Sequence, residues 1–212
     1  AGIDVLPYKG PVLAIQLYGH YAARQYGDLD IILRPEQLDE AMRLLHENGW
    51  RAAYAIPAGW RGYYERTRHH YPWVDPETGI MIELHWSLSD GSWGWGRCVH
   101  WFFEDTVSVE LLGVPVPAMA PERLLLAQCI NGTRGLWERL AWLADVAELM
   151  RLYPKLDWAI VFSEAERRGF GRYLRISLLF VRREFGVFVP APWAEQVMQD
   201  QRAVALAERL GT

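Results

Sequence analysis

The sequence comprises 212 residues, 51% of them hydrophobic and 23% charged, with a formal net charge of -4. The hydrophobic share excludes a disordered chain, no stretch reaches the roughly 18 uninterrupted apolar residues of a membrane span, and the slightly negative charge disfavours a protein that coats nucleic acid. Cys98 and Cys129, the two cysteines, suggest neither a disulfide framework nor a zinc knuckle, so a soluble protein of the reducing cytoplasm is expected.

The first half of the chain predicts alternating strands and helices. The β-branched run at 3–8 is typical of a strand, and Lys9-Gly10-Pro11 of a turn into a helix over 11–23, because proline suits the first helical position. Beyond Gly27, residues 28–33 (DLDIIL) alternate polar with apolar, which predicts a strand with one buried face. Apolar residues spaced by three and four then predict a helix over 35–48.

Five further strands are predicted before the pattern changes to a helical period: 50–56, 63–71, 80–86, 106–111 and 114–116. Residues 90–96 (DGSWGWG) predict a glycine-rich loop, either a surface connection or a substrate lid. Helices are predicted at 121–130, 136–153, 157–168, 172–185 and 192–210. The fold class is therefore α+β, with a mixed sheet and helices over residues 1–118 and a helical domain over residues 119–212.

Two acids share one face of the second predicted strand. Asp28 and Asp30 stand two residues apart, so their Cα atoms lie about 7 Å from each other on the same side. Neighbouring carboxylates repel unless a positive group lies between them, and Mg²⁺ is commonly held by one or two carboxylates together with substrate phosphates. The alternative is a strand edge with two solvated acids.

Two other segments add to this pattern. Lys9 and Gly10 precede a predicted helix, whose free N–H groups and dipole attract an anion, although a simple turn is the alternative. Glu83 provides a third acid on a later strand, with His85 on the same face two residues on. A lone glutamate on a strand is otherwise a surface residue.

Taken together, the segments YKGPVL, RQYGDLDIIL and MIELHW resemble the uncharacterised bacterial nucleotidyltransferase family of the DNA polymerase beta-like superfamily, whose members show LKG, RxxGDLDLLV and IELHW. The helical half continues the resemblance, because WERLAWLADVAELM is similar to that family's WxRLxWLxDVA. The resemblance spans about residues 6–150 and implies a nucleotidyltransferase-like mixed sheet flanked by helices, followed by a C-terminal helical domain.

The resemblance also implies roles for the matching residues. Asp28 and Asp30 would hold one or two Mg²⁺ ions that bridge the phosphates of ATP or another NTP. Glu83 would complete the second metal site and help to deprotonate the acceptor hydroxyl. Lys9 and the Gly10 backbone would receive the triphosphate.

Arg24 would lie near the opening of the nucleotide site that the resemblance implies. The alternative is an ordinary cation at a helix C-terminus. The implied reaction moves a nucleoside monophosphate from an NTP to a hydroxyl of a small molecule, peptide or protein. The acidic balance disfavours a nucleic-acid acceptor.

The chain also departs from the family it resembles. Asn131 and Gly135 stand where that family has histidines, which leaves His69, His70 and His85 as candidates for acceptor contact. The alternative hypothesis is therefore a catalytically silent nucleotidyltransferase fold that acts as a nucleotide sensor or protein-interaction module.

Overall fold

The computed structural model describes residues 2–57, 59–91 and 99–210. The chain divides into two compact units, Ala1–Ala120 and Pro121–Thr212. Residues 92–96 of the predicted glycine-rich loop lie outside the described residues. The first unit contains the sheet and the second is helical, which confirms the predicted fold class.

A five-stranded mixed sheet forms the centre of the first unit. Its strands are β1 (Val5–Pro7), β2 (Asp28–Leu33), β3 (Arg51–Ala52), β4 (His70–Val74) and β5 (Met81–His85). They follow the order β1-β2-β5-β4-β3, in which β2 and β5 run parallel and the other neighbours run antiparallel. In the parallel pair Asp30 lies opposite Glu83. The sheet therefore brings two predicted site residues to the same level on adjacent strands.

Three helices accompany the sheet: α1 (Gly10–Tyr18), α2 (Leu38–Glu47) and α3 (Arg61–Thr67). The helix predicted over 11–23 ends early because Gly19 takes the left-handed conformation with φ +74°, and a separate 3-10 turn follows at Tyr21–Ala23. The strand predicted over 63–71 is wrong in its first part, since α3 occupies that stretch. An ion pair between Arg61 and Glu65, four residues apart, supports the helix there.

The two faces of the sheet have different roles. On one face the core contains Leu33, Leu38, Ala41, Tyr71, Trp73, Leu84 and Trp86. Since side chains alternate along a strand, the strand residues next to these core residues point to the opposite face, where Asp30 and Glu83 lie. Val12 of α1 packs on a hairpin made of β6 (Val107–Leu111) and β7 (Val114–Ala118).

The second unit consists of helices. They are α4 (Pro121–Arg134), α5 (Leu140–Leu152), α6 (Trp158–Arg167), α7 (Gly171–Phe185), α8 (Trp193–Gln199) and α9 (Gln201–Arg209). The single helix predicted over 192–210 is wrong, because Asp200 accepts a hydrogen bond from the backbone N–H of Ala203 and starts α9 as its cap. In the described part of the chain no helix is both long and apolar enough to cross a membrane.

Candidate active site

Asp30 and Glu83 meet through a shared histidine. The Nε2 atom of His85 lies 3.0 Å from Oδ1 of Asp30 and 3.2 Å from Oε2 of Glu83. His85 is 0% exposed and Asp30 2% exposed, whereas Glu83 is half-buried. Glu83 and His85 share a face of β5, as the sequence predicts. Ligand atoms of the three residues lie within 4.8 Å of one another.

The turn between β1 and α1 faces the same acids. The ammonium of Lys9 lies 2.7 Å from Oδ1 of Asp30, and Gly10 begins α1 with φ +63°. A Cβ atom on Gly10 would lie 3.4 Å from the Asp28 carbonyl oxygen. Glycine therefore both permits the left-handed conformation and lets the helix N-terminus approach the start of β2 closely.

The electrostatics of the three acids differ. Burial raises the pKa of Asp28, and the nearby charge of Asp30 raises it further against the effect of Lys9. Burial alone would also raise the pKa of Asp30, but the hydrogen bond from His85 and the charge of Lys9 lower it well below its ordinary value. Burial likewise opposes the lowering of the Glu83 pKa, which the hydrogen bond from His85 produces. Asp30 and Glu83 are thus the acids held ionised, while Asp28 lacks a comparable partner.

Histidines extend the cluster across β4. Nε2 of His70 lies 3.4 Å from Oε1 of Glu83, and Nδ1 of His69 lies 2.5 Å from Oδ1 of Asp90. From the sequence, His69 and His70 are expected only to contact the acceptor, and no pattern points to Asp90. In the sequence, the adjacent pair His69-His70 is the signal for this arrangement. It does not reveal the contact with His85, because that contact depends on the pairing of β4 with β5.

The carboxylates of Asp28, Asp30 and Glu83 fit a divalent cation. Carboxylate oxygens are the ligands that Mg²⁺ prefers, and a cation beside Asp28 would offset both the burial and the neighbouring negative charge of Asp30 that raise the pKa of Asp28. Asp28 itself is not a member of the compact group formed by Asp30, Glu83 and His85. It stands at the same edge through its place two residues before Asp30 on β2.

Arg24 follows the 3-10 turn at Tyr21–Ala23, and its Nη1 atom lies 3.4 Å from the Gln25 carbonyl oxygen. It does not lie at the C-terminus of the long helix predicted over 11–23, because α1 ends at Tyr18. Its contribution to the site remains a prediction.

The two positions of the second unit at which the resemblance leads us to expect histidines make local contacts. Asn131 is buried, and its Oδ1 atom accepts from Arg134 of the same helix at 3.2 Å. A Cβ atom on Gly135 would lie 2.3 Å from the ring of Trp142. The Trp142 ring therefore fills the place that a side chain at position 135 would need.

Residues 1–186 match a family described as uncharacterised nucleotidyltransferase. The chain belongs to this family, which confirms the resemblance read from the sequence and supports nucleotidyl transfer as the class of activity. No curated protein matches the chain.

Two solved structures show a distant similarity. The solution structure of the antibiotic-resistance factor ANT(2'')-Ia has 13% sequence identity and a TM-score of 0.41, covering 87% of this chain and 84% of that chain. An antigenic nucleotidyltransferase-like protein from Paracoccidioides brasiliensis also has 13% identity and a TM-score of 0.41, covering 82% of this chain and 84% of that chain.

Proposed function

We propose that the protein is a Mg²⁺-dependent nucleotidyltransferase that moves a nucleoside monophosphate from an NTP, such as ATP, to a hydroxyl of a small molecule, peptide or protein. The observation that carries the proposal is the alignment of Asp30 with Glu83 on parallel strands, beside the turn formed by Lys9 and Gly10. Carboxylates beside a helix N-terminus combine ligands for a cation with donors for a phosphate.

The acids of this edge hold the cation. Asp28 and Asp30 on β2 and Glu83 on β5 supply the oxygen ligands. Bound Mg²⁺ contributes neutralisation of phosphate charge and a template for the reacting groups. The lowered pKa values of Asp30 and Glu83 keep both ionised at neutral pH, so neither has to lose a proton before binding.

The remaining residues bind the nucleotide and manage the proton. Lys9 and the backbone N–H groups that begin α1 receive the triphosphate, and Arg24 adds positive charge near the opening. The acceptor oxygen attacks the α-phosphorus, the bond from that phosphorus to the β-phosphate oxygen breaks, and pyrophosphate leaves. Glu83 accepts the proton of the acceptor hydroxyl. Most of the catalysis is positioning and charge neutralisation.

The first test is calorimetric titration of the full chain with ATP and Mg²⁺, with the double variant Asp28→Asn/Asp30→Asn beside it. The double variant removes two ligands without changing side-chain size, so we expect nucleotide binding that depends on Mg²⁺ in the parent and its loss in the variant. Asp105→Asn is the matched control, because Asp105 is exposed and asparagine tolerates its φ of +50°.

Turnover is measured as pyrophosphate release from labelled NTPs in the presence of a host lysate that supplies acceptors. Glu83→Gln should abolish release, whereas Glu77→Gln, at an exposed turn position, should not change it. The proposal is wrong if the parent binds no nucleotide, or if the double variant binds and turns over as the parent does.

The second candidate function is a silent fold that senses nucleotides or binds a partner. It is favoured by the Trp142 ring beside Gly135, which would have to move to admit the histidine that the resemblance leads us to expect at this position. This candidate predicts nucleotide binding by the parent without pyrophosphate release, and unchanged binding in Glu83→Gln.

A further inference from the structure

Three histidines meet beside the carboxylates. They are His69, His70 and His85, half of the 6 histidines in the sequence. Their ring centroids lie 4.4, 5.1 and 5.5 Å apart, and one ring nitrogen of each lies within 4.8 Å of a ring nitrogen of both others. The register of β4 with β5 places His70 opposite His85, and His69 directly precedes β4. The fold therefore gathers these imidazoles at one point.

Each of the three rings has a carboxylate at one of its nitrogens. Nδ1 of His69 contacts Asp90, Nε2 of His70 contacts Glu83, and Nε2 of His85 contacts Asp30 and Glu83. A carboxylate holds the N–H on the nitrogen that it contacts, which puts the lone pair on the other nitrogen of the ring. Histidines that bind metals show this arrangement, since their second nitrogen usually donates to a carboxylate or carbonyl.

The second nitrogen of His85 supplies an independent observation. Its Nδ1 atom is buried and has no hydrogen-bond partner among the residues that the structure describes, in a side chain that is 0% exposed. A buried acceptor without a partner is destabilising, because the atom has lost its hydrogen bonds to water and gained none in return. A bond to a metal ion would satisfy this atom.

We propose that His69, His70 and His85 bind one divalent transition-metal ion of the zinc class, at a site that adjoins the proposed Mg²⁺ site and uses different ligand atoms. Imidazole nitrogen suits Zn²⁺ and Co²⁺, whereas Mg²⁺ selects oxygen. Zn–N bonds of about 2.0–2.1 Å place tetrahedral nitrogens about 3.3 Å apart, so small ring movements close the site. Three protein ligands leave a fourth position open to water or a substrate atom.

The test uses the full chain after dialysis against a chelator, titrated with Co²⁺ and followed by visible absorption. Four-coordinate Co²⁺ absorbs strongly and six-coordinate Co²⁺ weakly, so the spectrum reports the ligand geometry without any enzymatic assay. We expect one equivalent with the four-coordinate spectrum, displaced by Zn²⁺ and unaffected by excess Mg²⁺.

Variants connect the spectrum to the residues. His70→Gln should lose the strong bands, and Asp90→Asn should weaken Co²⁺ binding about 10–100-fold because it releases the His69 ring. His46→Gln is the matched control, since His46 is exposed in the last turn of α2. Asp28→Asn should retain the bands while losing nucleotide binding, which separates this site from the proposed transferase site.

The proposal is overturned by a weak six-coordinate spectrum in the parent, by the absence of Co²⁺ binding, or by bands that persist in folded His70→Gln. Far-UV circular dichroism checks the folding of each variant. If His70→Gln does not fold, the Co²⁺ spectrum of the parent and the Co²⁺ affinity of Asp90→Asn test the proposal instead.

Discussion

At the scale of single residues, the buried carboxylate of Asp30 pairs with Lys9 and accepts a hydrogen bond from His85. The ammonium and the carboxylate lie 2.7 Å apart, with side-chain exposures of 14% and 1%. Lys9 thus provides the positive charge that the buried carboxylate requires. A divalent cation on Asp30 would supply the same charge, so the lysine and the cation compete for one oxygen, and nucleotide phosphates offer the displaced ammonium another partner.

Replacing Lys9 tests this competition. In chelator-treated buffer Lys9→Met should lower the free energy of unfolding by about 3 kcal/mol, because it leaves a buried carboxylate without its cation. Mg²⁺ should then raise the melting temperature of the variant by more than that of the parent. Urea titration and thermal melting measure the two effects.

The control is Lys155→Met, at the other lysine of the sequence, which is exposed and should change neither quantity. Equal Mg²⁺ shifts in the parent and in Lys9→Met would show that the lysine and the cation do not share Asp30.

At the scale of elements, the β6–β7 hairpin contains local strain. Leu112 and Gly113 form its two-residue turn, with φ values of +52° and +79°. Both central residues of this kind of turn have positive φ, which suits Asn-Gly and disfavours leucine. Leu112 is also 78% exposed, so its side chain contributes little burial in return.

Leu112→Asn should therefore raise the free energy of unfolding by about 1 kcal/mol, the typical cost of the left-handed conformation for an ordinary residue. Urea denaturation followed by tryptophan fluorescence measures the change. Leu206→Asn, at an exposed position inside α9, is the comparison and should be destabilising because asparagine is a poor helix former. A stabilisation of similar size in both variants would mean that removing exposed leucine, and not turn strain, is responsible.

The elements also show what the sequence could predict. The alternation over 28–33 predicts β2 with the bounds that the structure has, Asp28–Leu33. The strand is buried on both faces and not on one, since Asp30 and Ile32 alternate with the buried Leu33. The strand predicted over 63–71 begins in a stretch where Arg61 and Glu65 pair along a helix and Tyr64 packs against the core. A spacing of four between opposite charges was the overlooked signal.

The sequence predicts the acids of the candidate site, and it offers the three histidines as candidates for acceptor contact but not as a cluster. Asp28, Asp30 and Glu83 belong to short motifs that can be recognised in the sequence. The cluster of His69 with His85 depends on β5 lying between β2 and β4, and that strand order cannot be read from local pattern. The same holds for Lys9, which is expected from the sequence to bind phosphate and is paired with Asp30 in the structure.

At the scale of the whole molecule, both compact units contain carboxyls with lowered pKa values. In the first unit they include Asp30 and Glu83 as well as Glu40 and Asp75, and in the second unit Glu164 and Asp200. A folded-state pKa below the ordinary value means that the native chain binds fewer protons than the unfolded chain. The stabilisation is complete above the ordinary values of 4.5 and 3.8 and is lost as the pH falls through the folded-state values.

We accordingly expect the urea midpoint of the metal-free protein to decrease on acidification below about pH 4.5. Asp28 opposes this trend because its pKa is raised, so protonation at low pH favours the folded state. Asp28→Asn should make the decrease steeper, and Glu164→Gln should make it shallower. Midpoints that stay constant from about pH 6 to about pH 3 would contradict the assignment.

The order of the strands also determines how well the site resists local unfolding. β5 is the third of five strands, and Glu83 has a neighbour on both sides, Asp30 on β2 and Pro72 on β4. Fraying of a sheet begins at its outer strands, here β1 and the two-residue β3. Local opening at either margin leaves the Asp30–Glu83 pair in place, so the acids separate only when the sheet itself comes apart.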